Sequence, residues 1–302
     1  MEERVLRYAP LLRFSRHETH FPIDPALFIS RSRLRRLGWT ASVPDGYWNS
    51  ELKLWDCCGV TDAPPPTAVN PDLPRACAAI QTESPSAPSA RRNRRPNDPA
   101  NLWNGSRAGY ALELTQAFAR ELRGVAGSAP FLLYDRYGWS DGEHQWDLIT
   151  YWFFYALNPH LVAHEGDWEP VSVLVRDGDA TAVLRLDSRN GAGTLGFDEV
   201  ELVDGTHPVI YVEAGSHRAC SSRSDLNGSA MHTVMLRSWR LPPKSLREMS
   251  WSSFDGAWGR VGAIESTTGP LGPLLRRTLS VATPEHAVLA GNSSGSPLGP
   301  SR

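Results

Sequence analysis

The sequence predicts an all-β protein, a jelly-roll-like β-sandwich with short helices and long loops. Two apolar, aromatic and β-branched runs lie between residues 148 and 176, bounded by Asn, Pro and Gly, a pattern typical of buried strands. The 24 Pro and 25 Gly favour turns over long helices. A hydrophobic fraction of 41% with 11 Trp is enough for a packed core, so one β-rich domain is expected.

A short polar insert, HEGDWE, separates the two apolar runs. If the second strand begins near Asp167, alternation places Asp167 and Glu169 on the face that carries Val171, Val173 and Val175. Carboxylates on a core face need a cation, hydrogen bonds or protonation to compensate them. With His164 three residues before Asp167, the set resembles a small nitrogen and oxygen metal site. The simpler interpretation is that Asp167 caps a turn, Glu169 pairs with an arginine and His164 lies on the surface.

Further candidates lie outside the insert. His217 follows a Gly-Ser break at the end of a predicted strand, where it is either a rim ligand or a histidine bonded to a carbonyl. Among the acids preceding the first apolar run, Asp147 is the one placed to face the site. The HETH segment at 17–20 contains potential ligands, but its neighbouring prolines favour a loop that packs Phe21 and Phe28.

Composition predicts the domain boundaries. Residues 1–56 and 102–282 are expected to form one β-sandwich domain. Residues 57–101, rich in Pro, Ala, Ser and Arg, are expected to be a disordered insertion, and 283–302 a disordered tail.

Charge and hydropathy limit the partners and the compartment. The net charge of −2 creates no field that would attract nucleic acid. No run approaches the roughly 20 apolar residues of a transmembrane segment, and the N-terminus has no signal-peptide pattern, so an intracellular protein is expected.

An ordered series of blocks resembles the vacuolar protein sorting-associated protein 62 family. The blocks are YAPLLRFSRHETHFPIDP, YWFFYALN, HEGDWEPVSVLV, HPVIYVEAGSH, FDGAWG and GPLGP. The resemblance covers most of the chain except 57–101 and the tail. It implies a role in delivery to the vacuole, a trafficking partner, and a location in the cytoplasm or at the vacuolar or endosomal surface.

The GDWE end of the insert is also distantly similar to the necrosis-inducing toxin family, whose motif is GHRHDWE and whose sandwich binds a divalent cation. That resemblance implies cation positions at His164, Asp167 and Glu169, with Asn158 where an acid is usual and His217 matching a later histidine. Such an oxygen-rich set suits Mg²⁺, Ca²⁺ or Mn²⁺. It also implies a lipid headgroup as ligand.

Two positions depart from the toxin pattern. Gly166 replaces the second histidine of the motif, and residues 184–193 lack the histidine expected in the corresponding strand. Both departures remove potential ligands from the implied site.

Three functional hypotheses follow. The first is a non-catalytic sandwich whose cation-loaded acidic rim binds a polar headgroup or a protein partner. The second is a metal-dependent hydrolase in which Asp167 and Glu169 hold the cation, His217 completes its shell and His164 acts as general base. The third gives the GDWE turn a purely structural role and assigns function to the basic insertion. No GxSxG elbow, P-loop or GxGxxG in a strand-to-helix setting is present.

Overall fold

The computed structural model describes residues 2–36, 46–49, 54–56, 110–114, 121–161, 163–184, 194–222, 232–252, 254, 256–260, 262 and 267–273. Most of the elements are strands, which confirms the predicted all-β class. The described α-helices are α1 (Glu2–Arg7) and α2 (Pro25–Ser30), and single turns of 3₁₀-helix cover Phe197–Glu199, Ser238–Arg240 and Leu246–Glu248.

The strands are β1 (Leu11–Ser15), β2 (Ser32–Arg36), β3 (Gly46–Asn49), β4 (Leu54–Asp56), β5 (Tyr110–Leu114), β6 (Leu132–Ser140), β7 (Gln145–Asn158), β8 (His164–Arg176), β9 (Asp179–Leu184), β10 (Thr194–Gly196), β11 (Leu202–Val203), β12 (His207–Val212), β13 (Ala219–Cys220), β14 (His232–Arg237), β15 (Pro243–Ser245) and β16 (Ala257–Trp258).

A central sheet in the order β10-β9-β8-β7-β6-β15 is built around the long hairpin of β7 and β8. Both faces of this hairpin are buried, which explains why its sequence is apolar almost without interruption. One face carries Trp152, Phe154 and Trp168 into one aromatic cluster. The other face contributes to a second cluster through Ile149, Tyr151, Phe153, Tyr155, Val171, Val173 and Val175.

Two further sheets cover these faces. The first, β11-β12-β1-β14 with β13 beside β12, supplies Leu12, Phe14 and Ile210 to the second cluster. The other, β16-β5-β2-β3-β4, supplies Leu34, Leu112 and Trp258 to the first cluster. In the latter sheet β2 pairs with β5, so strands from either side of residues 57–101 share one sheet.

A parallel pair positions the candidate site. Strand β1 runs parallel to β12, with Phe14 opposite Val212, although the two strands are almost 200 residues apart in sequence. The chain segments that leave the carboxyl ends of these strands therefore emerge at the same sheet edge. These segments contain residues 16–20 and 213–218.

The structure differs from the sequence prediction at several points. Strand β8 begins at His164, not near Asp167, so the polar insert is part of the strand. Parallel pairing also joins β15 to β6 and β16 to β5, where a jelly roll would be antiparallel. The predicted insertion at 57–101 and tail at 283–302 lie outside the described residues, and the domain boundaries remain a prediction.

Gly166 marks the closest approach between β8 and the C-terminal segment. It adopts a φ of +64°, and a Cβ atom at this position would overlap the backbone oxygen of Trp258. Beside it, the half-buried Glu165 carboxylate accepts hydrogen bonds from the backbone N–H groups of Leu114 and Arg260, at 3.0 Å each. The glycine therefore leaves space for backbone packing at the position where the toxin motif has a histidine.

Gly166→Ala should destabilise the protein by about 2 to 5 kcal/mol, since it combines left-handed strain with overpacking against Trp258. Gly205→Ala is the matched control, because Gly205 has a φ of +72° and an added Cβ there would have no described atom within 4 Å. Its expected cost is about 1 to 2 kcal/mol from backbone strain alone. Urea unfolding measures the free energy of unfolding of both variants. Equal losses in the two variants would contradict the close approach of the backbone of Trp258 to Gly166.

Candidate functional site

Asp167 is the centre of a buried polar cluster at the hairpin end of the central sheet. Its Oδ2 lies 2.9 Å from Nδ1 of His217, and Asn158 donates to the same oxygen at 3.1 Å. An ionised carboxylate only accepts hydrogen bonds, so the His217 Nδ1–H is the donor. Asn158 also donates to the carbonyl of Ser216 at 3.3 Å. Strands β7 and β8 are thereby tied to the turn at 213–218.

His217 is fully buried within that turn. Its φ is +54°, an uncommon conformation for a residue other than glycine, and its N–H donates to the Glu213 carbonyl at 3.0 Å. The imidazole stacks on the Tyr155 ring, with 3.9 Å between centroids and 5° between planes. Its Nε2 has no hydrogen-bond partner among the described residues. The sequence left open a rim ligand or a histidine bonded to a carbonyl, and in the structure the ring's hydrogen-bond partner is the carboxylate of Asp167.

The N-terminal segment contributes an acid that the sequence interpretation missed. The buried Glu18 carboxylate accepts from the backbone N–H of His20 at 2.8 Å and from that of Gly215 at 2.9 Å. Its Oε1 lies 3.6 Å from His217 Nε2, within ion-pair distance but too far for a hydrogen bond. The loop prediction for HETH is correct for the burial of Phe21 and Phe28, but it wrongly left Glu18 out of the site.

Three carboxylates surround Tyr155. Glu169 is buried on the face of β8 that also carries Asp167, as the alternation predicted. Burial raises the pKa of the Tyr155 hydroxyl well above its usual range, and the charges of Glu169, Glu18 and Asp167 raise it further. The cluster is therefore strongly negative around one imidazole.

The electrostatics favour a charged His217. Burial lowers the pKa of this imidazole, but the proximity and charges of Asp167 and Glu18 outweigh burial, so the pKa lies above its ordinary value. Burial by itself would raise the pKa of Glu18. The nearby His217 and the backbone N–H groups of Gly215 and His20 outweigh burial and lower this pKa to about 2. The pKa of His20 is lowered by burial and by the neighbouring His217. Both carboxylates thus favour the protonated form of the His217 ring.

Two of the sequence-predicted residues lie elsewhere. Nδ1 of His164 is 2.8 Å from the Gly166 carbonyl, so this ring contacts its own strand. Asp147 is on the same sheet face as Asp167 but opposite Val175, eight residues along β8, or about 26 Å away. It pairs there with Arg4 and Arg136. The structure brings together Asp167, Glu169, His217 and Asn158, and it adds Glu18.

In the part of the chain that the structure describes, no three His, Cys, Asp or Glu side chains form a ready metal-binding group. Nε2 of His217 has no hydrogen-bond partner among the described residues, and in the neutral ring it is the type of atom that a cation ligates. The cluster can hold a positive charge, from a proton or a cation. Its acids and His217 are all buried, so these described side chains offer no accessible nucleophile.

Comparison with known proteins gives only distant similarities. No family model matches the chain, so the resemblance to vacuolar protein sorting-associated protein 62 gains no support, and no curated protein matches it either. Among solved structures, the chain is distantly similar to necrosis-inducing proteins of the toxin fold.

One such structure is Necrosis and Ethylene inducing Protein 2 from the causal agent of cocoa's Witches Broom disease. It is 10% identical, with 91% of this chain and 88% of that chain covered and a TM-score of 0.36. A structure described as a toxin fold for microbial attack and plant defense is 12% identical, covering 50% and 68%, with a TM-score of 0.30. NLPPya in complex with glucosamine is 13% identical with a TM-score of 0.28, and the match covers 44% of this chain and 65% of that one. The chain therefore spans just under two thirds of the length of NLPPya.

Asp167→Ala should destabilise the protein by about 3 to 5 kcal/mol, because it leaves His217 buried without its acceptor. Asp179→Ala is the control, since the Asp179 side chain is 86% exposed and lies 3.8 Å from Arg7. Its expected effect is within about 0.5 kcal/mol. Urea unfolding measures the free energy of unfolding of both variants. A loss below about 1 kcal/mol for Asp167→Ala, similar to that of a surface substitution, would argue against the buried hydrogen bond.

Proposed function

We propose that the protein is a non-catalytic binding protein in which the buried cluster carries a divalent cation and shapes a rim that binds a lipid headgroup. The observation that supports this proposal is the buried imidazole of His217, which is bonded to Asp167 through Nδ1 while its Nε2 has no hydrogen-bond partner among the described residues. In this proposal Mg²⁺, Ca²⁺ or Mn²⁺ adds the positive charge that the carboxylates require.

The cation's role in this proposal is to hold loops, not to carry out chemistry. Asn158 and Ser216 already link the end of β7 to the turn at 213–218. The position that a Cβ on Gly215 would take is 3.6 Å from the ring of Pro159, so the turn packs on the hairpin tip. A charge bound beneath these loops would stabilise their arrangement at the rim.

The hairpin tip supports the choice of a lipid surface as partner. Leu161 is 93% exposed there, and Pro159, His160 and Ala163 beside it are also exposed. An apolar side chain next to a polar, cation-supported site suits an interface where headgroups and acyl chains meet. None of the described helices is long and apolar enough to cross a membrane. Peripheral binding in vacuolar sorting would agree with the sequence resemblance.

The hydrolase hypothesis has weaker support. Its general base was His164, whose Nδ1 contacts the Gly166 carbonyl on the same strand. A general base must reach the proton it removes, and the acids that would hold the cation are buried. We therefore favour binding over catalysis.

Binding to vesicles of phosphatidylcholine with a phosphoinositide should require Mg²⁺, Ca²⁺ or Mn²⁺ and disappear in EDTA, because the cation holds the rim. Leu161→Ser should weaken binding at least about tenfold, as the buried area of one leucine is lost. Co-sedimentation measures both effects.

The control is Tyr137→Ser. Tyr137 is 40% exposed and lies opposite Leu148, towards the other end of the hairpin, so its removal should leave vesicle binding unchanged. Binding that is insensitive both to EDTA and to Leu161→Ser would refute the proposed function.

A further inference from the structure

We propose that two copies of the chain pair through the outer edge of β6 and form an antiparallel dimer. The evidence for the pairing comes from β6 and its neighbours alone. The dimer places the two hairpin tips at opposite ends, and the consequence of this arrangement for membranes rests on the proposed function.

The outer edge of β6 is only partly covered. Strand β15 pairs with β6 at Leu132, Leu133 and Tyr134, and no described strand pairs with β6 beyond Tyr134 on the side away from β7. Such an edge is a template for another strand, and proteins commonly protect it with a bulge, a proline or a lysine. The segment at 136–140, RYGWS, contains neither proline nor lysine, and its register with β7 shows no shift.

The backbone groups of alternate residues along this edge point away from β7. The carbonyl of Gln145 accepts from the N–H of Asp177 at 2.8 Å, so Gln145 directs its backbone groups to the β8 side. Ser140 is opposite Gln145, and its backbone groups therefore point to the outer side of β6. The same direction follows for Gly138 and Arg136, two and four residues earlier. These three residues present N–H and C=O groups to a new strand.

A two-fold axis at Gly138 makes this edge complementary to itself. In an antiparallel pair with Gly138 opposite Gly138 of the second copy, Arg136 stands opposite Ser140 of the second copy, and the reverse. Each of these pairs is of the hydrogen-bonded type, with two N–H···O bonds per pair. The same patch on both copies thus forms the interface, as in most dimers of identical chains.

The aromatic side chains of the edge fit the same register. Tyr137 stands opposite Trp139 of the second copy, and aromatic cross-strand pairs stabilise a sheet. Within one copy, Trp139 already stacks on Trp146, with 5.9 Å between centroids and 8° between planes. Tyr137 is 40% exposed and lies 5.8 Å from Trp139. Pairing therefore extends one row of rings across the axis.

The charges at the end of the edge favour a second copy as the partner. Asp141 of one copy lies opposite Asp135 of the other in this register, where two acids alone would repel. Arg247 donates to Asp135 at 2.8 Å, and its side chain is 59% exposed. The exposed Glu143 belongs to the same turn as Asp141. The Arg247 guanidinium therefore lies between acids of the two copies and compensates them.

Antiparallel pairing turns the two hairpin tips in opposite directions. Gly138 is opposite Asp147, and β7 continues from there to Asn158 at the tip, over a length of about 36 Å. The tips of a dimer are thus about 70 Å apart. A dimer can link two vesicles, whereas loss of the dimer leaves the binding of one tip to one membrane unchanged.

Sedimentation equilibrium of the full chain without lipid tests the pairing. Wild type should dimerise with a dissociation constant of about 10 to 100 µM, since so short an edge buries little area. Gly138→Pro should raise this constant at least about tenfold, because it removes an outward N–H and no bond to β7. Gly138→Ala is the matched control: it adds a Cβ at the same place, 3.0 Å from Asp147 Oδ1, but retains the N–H.

A second measurement needs no variant. In wild type labelled with ¹⁵N-glycine, the amide resonance of Gly138 should shift as the protein concentration rises, while that of Gly205, exposed in a turn outside β6, should not. A wild type that stays monomeric at about 500 µM would overturn the pairing. Equal dimerisation of Gly138→Pro and Gly138→Ala, or equal shifts of both glycines, would do the same.

Vesicle clustering tests the arrangement of the tips. The turbidity of phosphoinositide vesicles should rise with wild type and Gly138→Ala but not with Gly138→Pro, while all three co-sediment with vesicles equally. Equal clustering by all three proteins would overturn the arrangement. Failure of vesicle binding would refute the proposed function without altering the result of the sedimentation experiment, which contains no lipid.

Discussion

The buried hydrogen bond between Asp167 and His217 is the interaction on which the candidate site depends. It joins the core face of β8 to a turn about 50 residues away in sequence, and it fixes which imidazole nitrogen faces Glu18. A carboxylate buried on this face of β8 would be strongly destabilising without this partner. The buried charge of the Asp167 carboxylate is therefore compensated by the hydrogen bond from His217.

Alternation along one strand allowed part of this arrangement to be predicted. Asp167 and Glu169 share the valine face because side chains of a strand alternate, and this required no knowledge of the tertiary structure. The exact start of β8 did not matter, because a strand that begins at His164 still places Asp167 on the valine face. His217 was found from a local signal, a Gly-Ser break at a strand end.

The contribution of Glu18 could not be predicted in the same way. Its position follows from parallel pairing of β1 with β12, and such long-range pairing leaves no mark in local periodicity. The expectation for Asp147 failed for a different reason. Asp147 is on the same sheet face as Asp167, but it lies eight residues from Tyr155, the residue of β7 that is opposite Asp167. For Gly166, the toxin resemblance implied a missing ligand, whereas the structure shows backbone packing against Trp258.

The protonation of the His217 ring is the most direct test of the central interaction. In a long-range ¹H–¹⁵N NMR spectrum of the wild-type histidine side chains, Nδ1 of His217 should carry a proton that exchanges slowly with water. Slow exchange is expected because the ring is fully buried and Nδ1 donates to Asp167. A His217 Nδ1 without a proton, or one exchanging as fast as that of the partly exposed His144, would contradict the account.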